Sequence, residues 1–165
     1  MKRSTMVELL NNSTIKDMPV VFIPSYNRPD FVTAQKILRQ FNQQGLDKVY
    51  VVVREEQYKA YHRVNPHLNY ITIPQGTVSG GGSTRQFIMD YTIKHKLSCT
   101  MEMDDDITYL HYLYNRRSKK TGEWCSAHST LADEKEDPLI PQKVLQLAGK
   151  ISRELFKKTP GSVTW

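Results

Sequence analysis

Four short runs of apolar residues, bounded by turn formers and separated by helix-length segments, constrain this chain more than any other feature it has. Val20-Val21-Phe22-Ile23 follows Pro19 and precedes Pro24-Ser25-Tyr26-Asn27. Val49-Tyr50-Val51-Val52-Val53, Tyr70 to Ile73 and Cys99 to Met103 repeat the pattern. Runs of that length without polar alternation are what strands covered on both faces look like. The segments between them read as helices. Asp30 caps one whose apolar residues Phe31, Ala34, Ile37, Leu38 and Phe41 share a face, with Gly45 as its stop. A short helix from Glu56 to Val64 runs into Pro66, and Ser83 caps another from Thr84 to Lys96 with Phe87, Ile88 and Tyr91 inward. Strands alternating with crossover helices predict an α/β fold, a three-layer α/β/α sandwich on a mostly parallel sheet with right-handed connections. Such sheets bind ligands beyond the carboxyl ends of their strands. The three chemically unusual segments, Pro24 to Arg28, the loop around Gly80 and Asp104 to Asp106, all follow strands and are expected to converge on one cleft.

Beyond residue 107 the pattern weakens into an irregular excursion over 111–140: aromatic from Tyr109 to Tyr114, basic and turn-like from Asn115 to Gly122, acidic from Ala132 to Asp137. A last helix starts near Pro141 with Val144, Leu145, Ala148, Ile151 and Leu155 on its buried side. Pro160-Gly161 ends it, and another strand begins at Ser162. The 165 residues, 39% hydrophobic and 24% charged, suit one domain over 1–165. A domain of that size buries roughly 70% of its unfolded surface, so a metal is not needed for stability. Cys99 and Cys125 read as free thiols of a reducing compartment. No apolar run is long enough for a signal peptide or a membrane span, so no membrane partner and a cytoplasmic location are expected. The net charge of +6 favours a polyanionic partner.

Three adjacent carboxylates at a strand end raise one another's pKa and cost stability unless something compensates them. Strand alternation sends Asp104 and Asp106 to one side and Asp105 to the other, so the first and third face one ligand. Hard oxygen donors with few protein ligands suit Mg²⁺ or Mn²⁺, with a diphosphate and water completing the shell. The plainer reading is a solvated acidic turn. Val78-Ser79-Gly80-Gly81-Gly82-Ser83-Thr84-Arg85 has the makings of an anion site: Gly81 and Gly82 permit close approach, the helix start contributes positive dipole, and Arg85 adds a donor fork. A merely flexible loop explains the same glycines. Neither the phosphate-loop lysine pattern nor the dinucleotide glycine fingerprint is present.

Val20 to Pro29, the loop from Gly80 to Arg85 and Met103 to Asp106 stand in the order and spacing of GT-A glycosyltransferases. More narrowly, the sequence resembles the TET-associated glycosyltransferases of bacteriophages over about residues 18–110. The resemblance implies that Pro24, Ser25, Tyr26 and Arg28 cradle the nucleoside of a UDP-sugar donor, with Tyr26 stacking on the base and Arg28 reaching phosphate. Arg54 and Glu56 would contact the base, although Glu55 and Glu56 equally suit a first helical turn. Asp104 would lie near the ribose or sugar, Asp105 beside the donor, and Asp106 on the metal. The implied acceptor is 5-hydroxymethylcytosine in phage DNA, reached by flipping if the base is paired, and the location becomes the host cytoplasm. Arg116, Arg117, Lys119 and Lys120 are then candidates for holding the DNA backbone, against the alternative of a solvated basic loop.

The chain also departs from the pattern. GT-A enzymes run well past 200 residues, and their later part supplies the acceptor pocket, a carboxylate base and often a metal-binding His. The catalytic base is therefore unassigned and expected outside this chain, which is read as a truncated product, a split enzyme whose donor-binding half is completed by a second subunit or a second copy, or an unusually small transferase. Asp133, Glu134, Glu136 and Asp137 read as a surface charge run, and His111 and His128 as candidate third metal ligands or ordinary packing histidines. Two other functions compete: a nucleotidyltransferase, and a catalytically silent module that binds nucleic acid or a partner.

Overall fold

The computed structural model describes residues 1–30, 34–77 and 79–158. Its main sheet has four parallel strands: β1 Val20–Pro24, β2 Val49–Arg54, β3 Asn69–Ile73 and β4 Thr100–Glu102, in the order β3-β2-β1-β4. Strands β1 and β2 are buried along most of their length, β3 and β4 are open at Thr72 and Glu102, and alternation along the strands divides the core in two. Val21, Ile23, Val49, Val51 and Val53 face one cluster, joined by Ile37, Leu38, Tyr61 and Leu145. Phe22 and Val52 face the other, with Ile71, Ile73 and Ile88. Helices α2 Ala34–Leu38, α4 Tyr58–Val64 and α7 Ile140–Lys158 contribute to the first cluster, and α5 Gly81–Lys94 to the second. The expected α/β sandwich is what forms.

Several boundaries differ from the sequence reading. The helix after β1 stops at Leu38, and a separate short helix α3, Gln43–Leu46, begins where the Asn42 side chain accepts from the Gly45 amide at 2.9 Å. Gly45 thus lies inside a helix and does not end one. It is buried there because a Cβ would drive into the Gln142 side chain. Phe31 and the side chain of Ala34 lie outside the described residues. Helix α5 starts three residues earlier than expected, at Gly81, and Ser83 sits in its first turn. The Ser83 hydroxyl accepts from the Ser79 and Gly80 amides at 3.0 and 3.1 Å, so it caps the entering loop from within.

The stretch 111–140 is regular, not irregular. It forms an antiparallel hairpin, β5 Leu113–Arg117 and β6 Trp124–His128, followed by α6 Leu131–Glu136. Its turn closes through Ser118 N–H to Glu123 C=O at 2.8 Å, and Gly122 takes a φ of +73° that a side chain would oppose. A helix that the pattern did not announce, α1 Arg3–Asn11, packs with α7 and β5 around Leu10, Tyr112, Ile140 and Leu147.

The acidic run of α6 is also misjudged as surface: Asp133 and Glu134 are each only 9% exposed. Burial alone would push the Asp133 carboxyl up, but the Thr130 amide and hydroxyl and Arg3 outweigh it and hold the group below its usual range. Asp133 is thus a helix cap and ion-pair partner.

Helix α7 is buried on several sides over its first half, including Ile140, Leu145 and Leu147, whereas Ile151 and Leu155, expected inward, are exposed. The helix outruns the body it packs on. Where it crosses a 3₁₀ turn at Ile15–Asp17, Gly149 has no room for a side chain: a Cβ would land on the Asp17 carbonyl oxygen and within 2.9 Å of Pro19 Cδ. Gly149→Ala is therefore expected to destabilise the chain by about 1–3 kcal/mol in urea unfolding, although alanine is the better helix former by roughly 1 kcal/mol. Wild-type stability in that variant would mean the crossing relaxes freely. Pro160, Gly161 and the strand read from Ser162 lie outside the described residues.

Candidate active site

Because β1 lies between β2 and β4, the chain leaves β1 on one side and later returns on the other. The loops after β1 and β4 part at that switch point, where α/β sheets open a ligand crevice. A cavity of about 440 Å³ lies there. Its wall comprises Pro24, Ser25, Tyr26 and Arg28 after β1, Val52 and Arg54 from β2, and Ile73 from β3. Ser79, Gly80, Gly81, Thr84 and Arg85 line it from the start of α5, with Asp104, Asp105 and Asp106 after β4. The three segments singled out in the sequence meet in one place. Glu56 and Gly82 do not line this wall.

The loop after β1 is pinned along its length. Ser25 N–H donates to Val52 C=O at 3.0 Å, Arg28 N–H to the Tyr61 hydroxyl at 2.9 Å, and the Asn65 side chain to Pro29 C=O at 3.1 Å. Asn27 adopts a left-handed φ of 54°, which Asn tolerates, and its amide donates to Gln57. Tyr26, held in this loop, is half exposed with the Arg54 guanidinium 4.3 Å over its ring.

A turn, and not strand alternation, separates the acidic triplet: β4 ends at Glu102, and Asp105 and Asp106 lie in the turn that follows. Asp104 and Asp106 are exposed at the cavity, while Asp105 turns inward and is 3% exposed. Asp105 accepts from the Ser25 hydroxyl at 2.5 Å and pairs with the Arg28 guanidinium at 3.2 Å. Since the single Ser25 hydroxyl proton goes to Asp105, the 2.7 Å contact between Ser25 Oγ and the buried Tyr61 hydroxyl has Tyr61 as donor. The chain of donors runs from the Arg28 amide through Tyr61 and Ser25 to Asp105. Tyr61 was invisible as a site residue, reading only as one apolar position of a short helix. The available signal is that a fully buried Tyr hydroxyl requires a partner.

Arg85 reaches across the cavity floor to Asp104 at 3.0 Å and Glu102 at 3.3 Å. Burial pushes the Glu102 carboxyl up, Arg85 opposes the rise, and the like charge of Asp104 adds to it. Gly80, Gly81 and Gly82 have no positive φ, and a Cβ on any of them would meet open space. No contact among the described residues demands glycine there. The first-turn amides of α5 beside them have no intrahelical acceptor, as at any helix start.

Among the described residues, no three His, Cys, Asp or Glu side chains gather as a metal cage. Asp104 and Asp106 offer two carboxylates, a donor set that fits a hard cation completing its shell with phosphate and water. His111 and His128 lie against each other, rings 5.1 Å apart, with His111 Nδ1 3.1 Å from Ser129 Oγ and 3.8 Å from Glu134. Neither lines the crevice. Arg116, Arg117, Lys119 and Lys120 are exposed on the hairpin and its turn. Cys99 and Cys125 are free and half-buried, and among the described residues no helix is long and apolar enough to cross a membrane.

Parallel strands, a crevice at their switch point, a glycine-fronted helix start and two exposed carboxylates opposite it define an α/β domain with its candidate site beyond the carboxyl ends of the strands. The profile of the TET-associated glycosyltransferases matches residues 19–139, and the chain belongs to that family. The match extends past residue 110, taking in the hairpin and α6. No curated protein and no solved structure matches the chain.

Proposed function

We propose that this chain is the donor-binding half of a metal-dependent transferase that moves a sugar from a UDP-sugar to 5-hydroxymethylcytosine in phage DNA. One observation carries the reading: the start of α5 and the exposed pair Asp104 and Asp106 face the same cavity, with the Tyr26 loop on its wall. The open amide at Gly81 on the cavity wall receives the diphosphate, and glycine is kept there for a ligand's approach, since no described residue occupies the space. Tyr26, backed by Arg54, offers a ring face to the nucleobase, and Arg28 orients the nucleoside side of the donor. Mn²⁺ or Mg²⁺, held by Asp104 and Asp106, would offset the charge on the nucleoside-diphosphate leaving group as the anomeric carbon–oxygen bond breaks. The described cavity wall carries no carboxylate besides the triplet, and in this reading the base and acceptor pocket come from residues outside that wall.

Thermal unfolding with Mn²⁺ and UDP tests donor binding. At about 100 times Kd the ligand adds about 2.7 kcal/mol, which raises Tm by roughly 5–10 °C for a chain of this size. Transfer itself is read as a mass gain on hydroxymethylcytidine after incubation with UDP-sugars and hydroxymethylated DNA. No shift with millimolar Mn²⁺ and UDP would sink the donor site, and a shift without mass gain from the completed enzyme would sink the acceptor assignment.

A further inference from the structure

We infer that the outward face of the β5–β6 ribbon is a platform for an unpaired DNA strand, with Trp124 stacking on a base. In the antiparallel register Leu113 lies opposite His128, Asn115 opposite Ser126 and Arg117 opposite Trp124, so these six side chains share one face. All six are exposed, Leu113 at 65% and Trp124 at 56%. The opposite face is the covered one: Tyr114 packs into the cluster formed with α1 and α7, and Cys125 and Ala127 are half-buried. A large aromatic ring left in water on a ribbon whose other side is already packed serves no folding purpose evident in the fold.

Charge selects the occupant. Arg117 lies on this face and Lys119 and Lys120 on the adjoining turn, against Glu123, while Arg116, opposite Cys125, belongs to the other face. Arg117 is held in place by its bond to Gly122 C=O at 2.8 Å, with its guanidinium 5.2 Å from the Trp124 ring. The ribbon is anchored to the body by Asn115 N–H donating to Met1 C=O at 2.7 Å, and its own base is closed by Ser129 N–H donating to Tyr112 C=O at 3.0 Å. A rigid ribbon that pairs an aromatic ring with clustered cations matches a ligand with flat π faces and regularly spaced negative charges. That is a nucleic-acid strand whose bases are unstacked. A fully paired duplex hides the base faces, so the platform favours the unpaired strand. The inference uses the proposed DNA acceptor only to choose DNA over RNA.

The test measures binding of a fluorescently labelled single-stranded DNA oligonucleotide to the full chain by anisotropy, without UDP-sugar or added divalent cation. Failure of sugar transfer therefore leaves its outcome untouched. Trp124→Ala is expected to weaken binding about tenfold or more, with Trp124→Phe retaining most of it. Lys119→Ala with Lys120→Ala should reduce the slope of log affinity against log salt by about 1.4, two phosphate contacts' worth. Tighter binding of the duplex, a Trp124→Ala variant that binds like wild type, or an unchanged salt slope in the double lysine variant would each overturn the inference. Circular dichroism confirms that each variant keeps its fold, since all three side chains project into solvent.

Discussion

Changing Asp104 and Asp106 together to Asn is expected to lower sugar transfer by about a hundredfold or more while leaving the chain folded. Two points support the size and the selectivity. Removing a group that stabilises charge in a transition state costs about 10²–10³ in rate, and here both anionic donors to the cation are lost at once. Folding is spared because both residues are exposed, and the only described partner of Asp104 is Arg85, itself 58% exposed at its side chain. Exposed pairs of that kind contribute about 0–1 kcal/mol. Transfer is followed by mass spectrometry of digested DNA, and folding by circular dichroism. A double variant that transfers sugar at the wild-type rate would remove the acidic pair from the chemistry.

Asp105→Ala should show the converse: a large loss of stability, and weakened UDP binding through the loop it holds. The substitution leaves the Ser25 hydroxyl without its acceptor inside the protein and takes the counter-ion from Arg28. Stranding buried polar groups costs about 1–3 kcal/mol, and the half-exposed state of Arg28 keeps the estimate near the middle of that range. For a chain of this size about 2 kcal/mol corresponds to a Tm fall of roughly 4–8 °C. Asp105→Asn, which keeps an acceptor for Ser25 but loses the charge, should fall between. Tyr61→Phe should share the donor-affinity loss, because the Arg28 amide and Ser25 both bond to that hydroxyl. Normal melting and normal UDP affinity in Asp105→Ala would show that the buried network is incidental.

The sheet was legible because Val, Ile and Phe crowd strands buried on both faces, a pattern that solvent-facing segments do not produce. The cleft followed from topology, since every unusual loop comes after a strand. The hairpin was not legible: Leu113 to Arg117 and Trp124 to His128 show their polar face to water, and their pairing depends on a turn and on contact with residues 1 and 2, which local pattern does not reveal. The outward Ile151 and Leu155 follow the 3.6-residue period of a buried face, but periodicity says nothing about how far the neighbouring body extends. Asp105 does turn away from Asp104 and Asp106, but through a turn beyond the end of β4 and not through the strand alternation read from the sequence. Its bonds to Ser25 and Arg28 span 80 and 77 positions of sequence and emerge only from the folded chain.

Arg85 bonds Asp104 and Glu102, so the crevice carries its own counter-ion. In the proposed donor site, a divalent ion arriving alone would compete with that guanidinium for Asp104, and a pyrophosphate arriving alone would meet an arginine already engaged. Arriving together, they would release the arginine from the carboxylate and give it the phosphate in exchange. Each should therefore tighten the other's binding by the same factor, making the pocket a poor trap for stray cations and a good one for a donor that brings its metal with it.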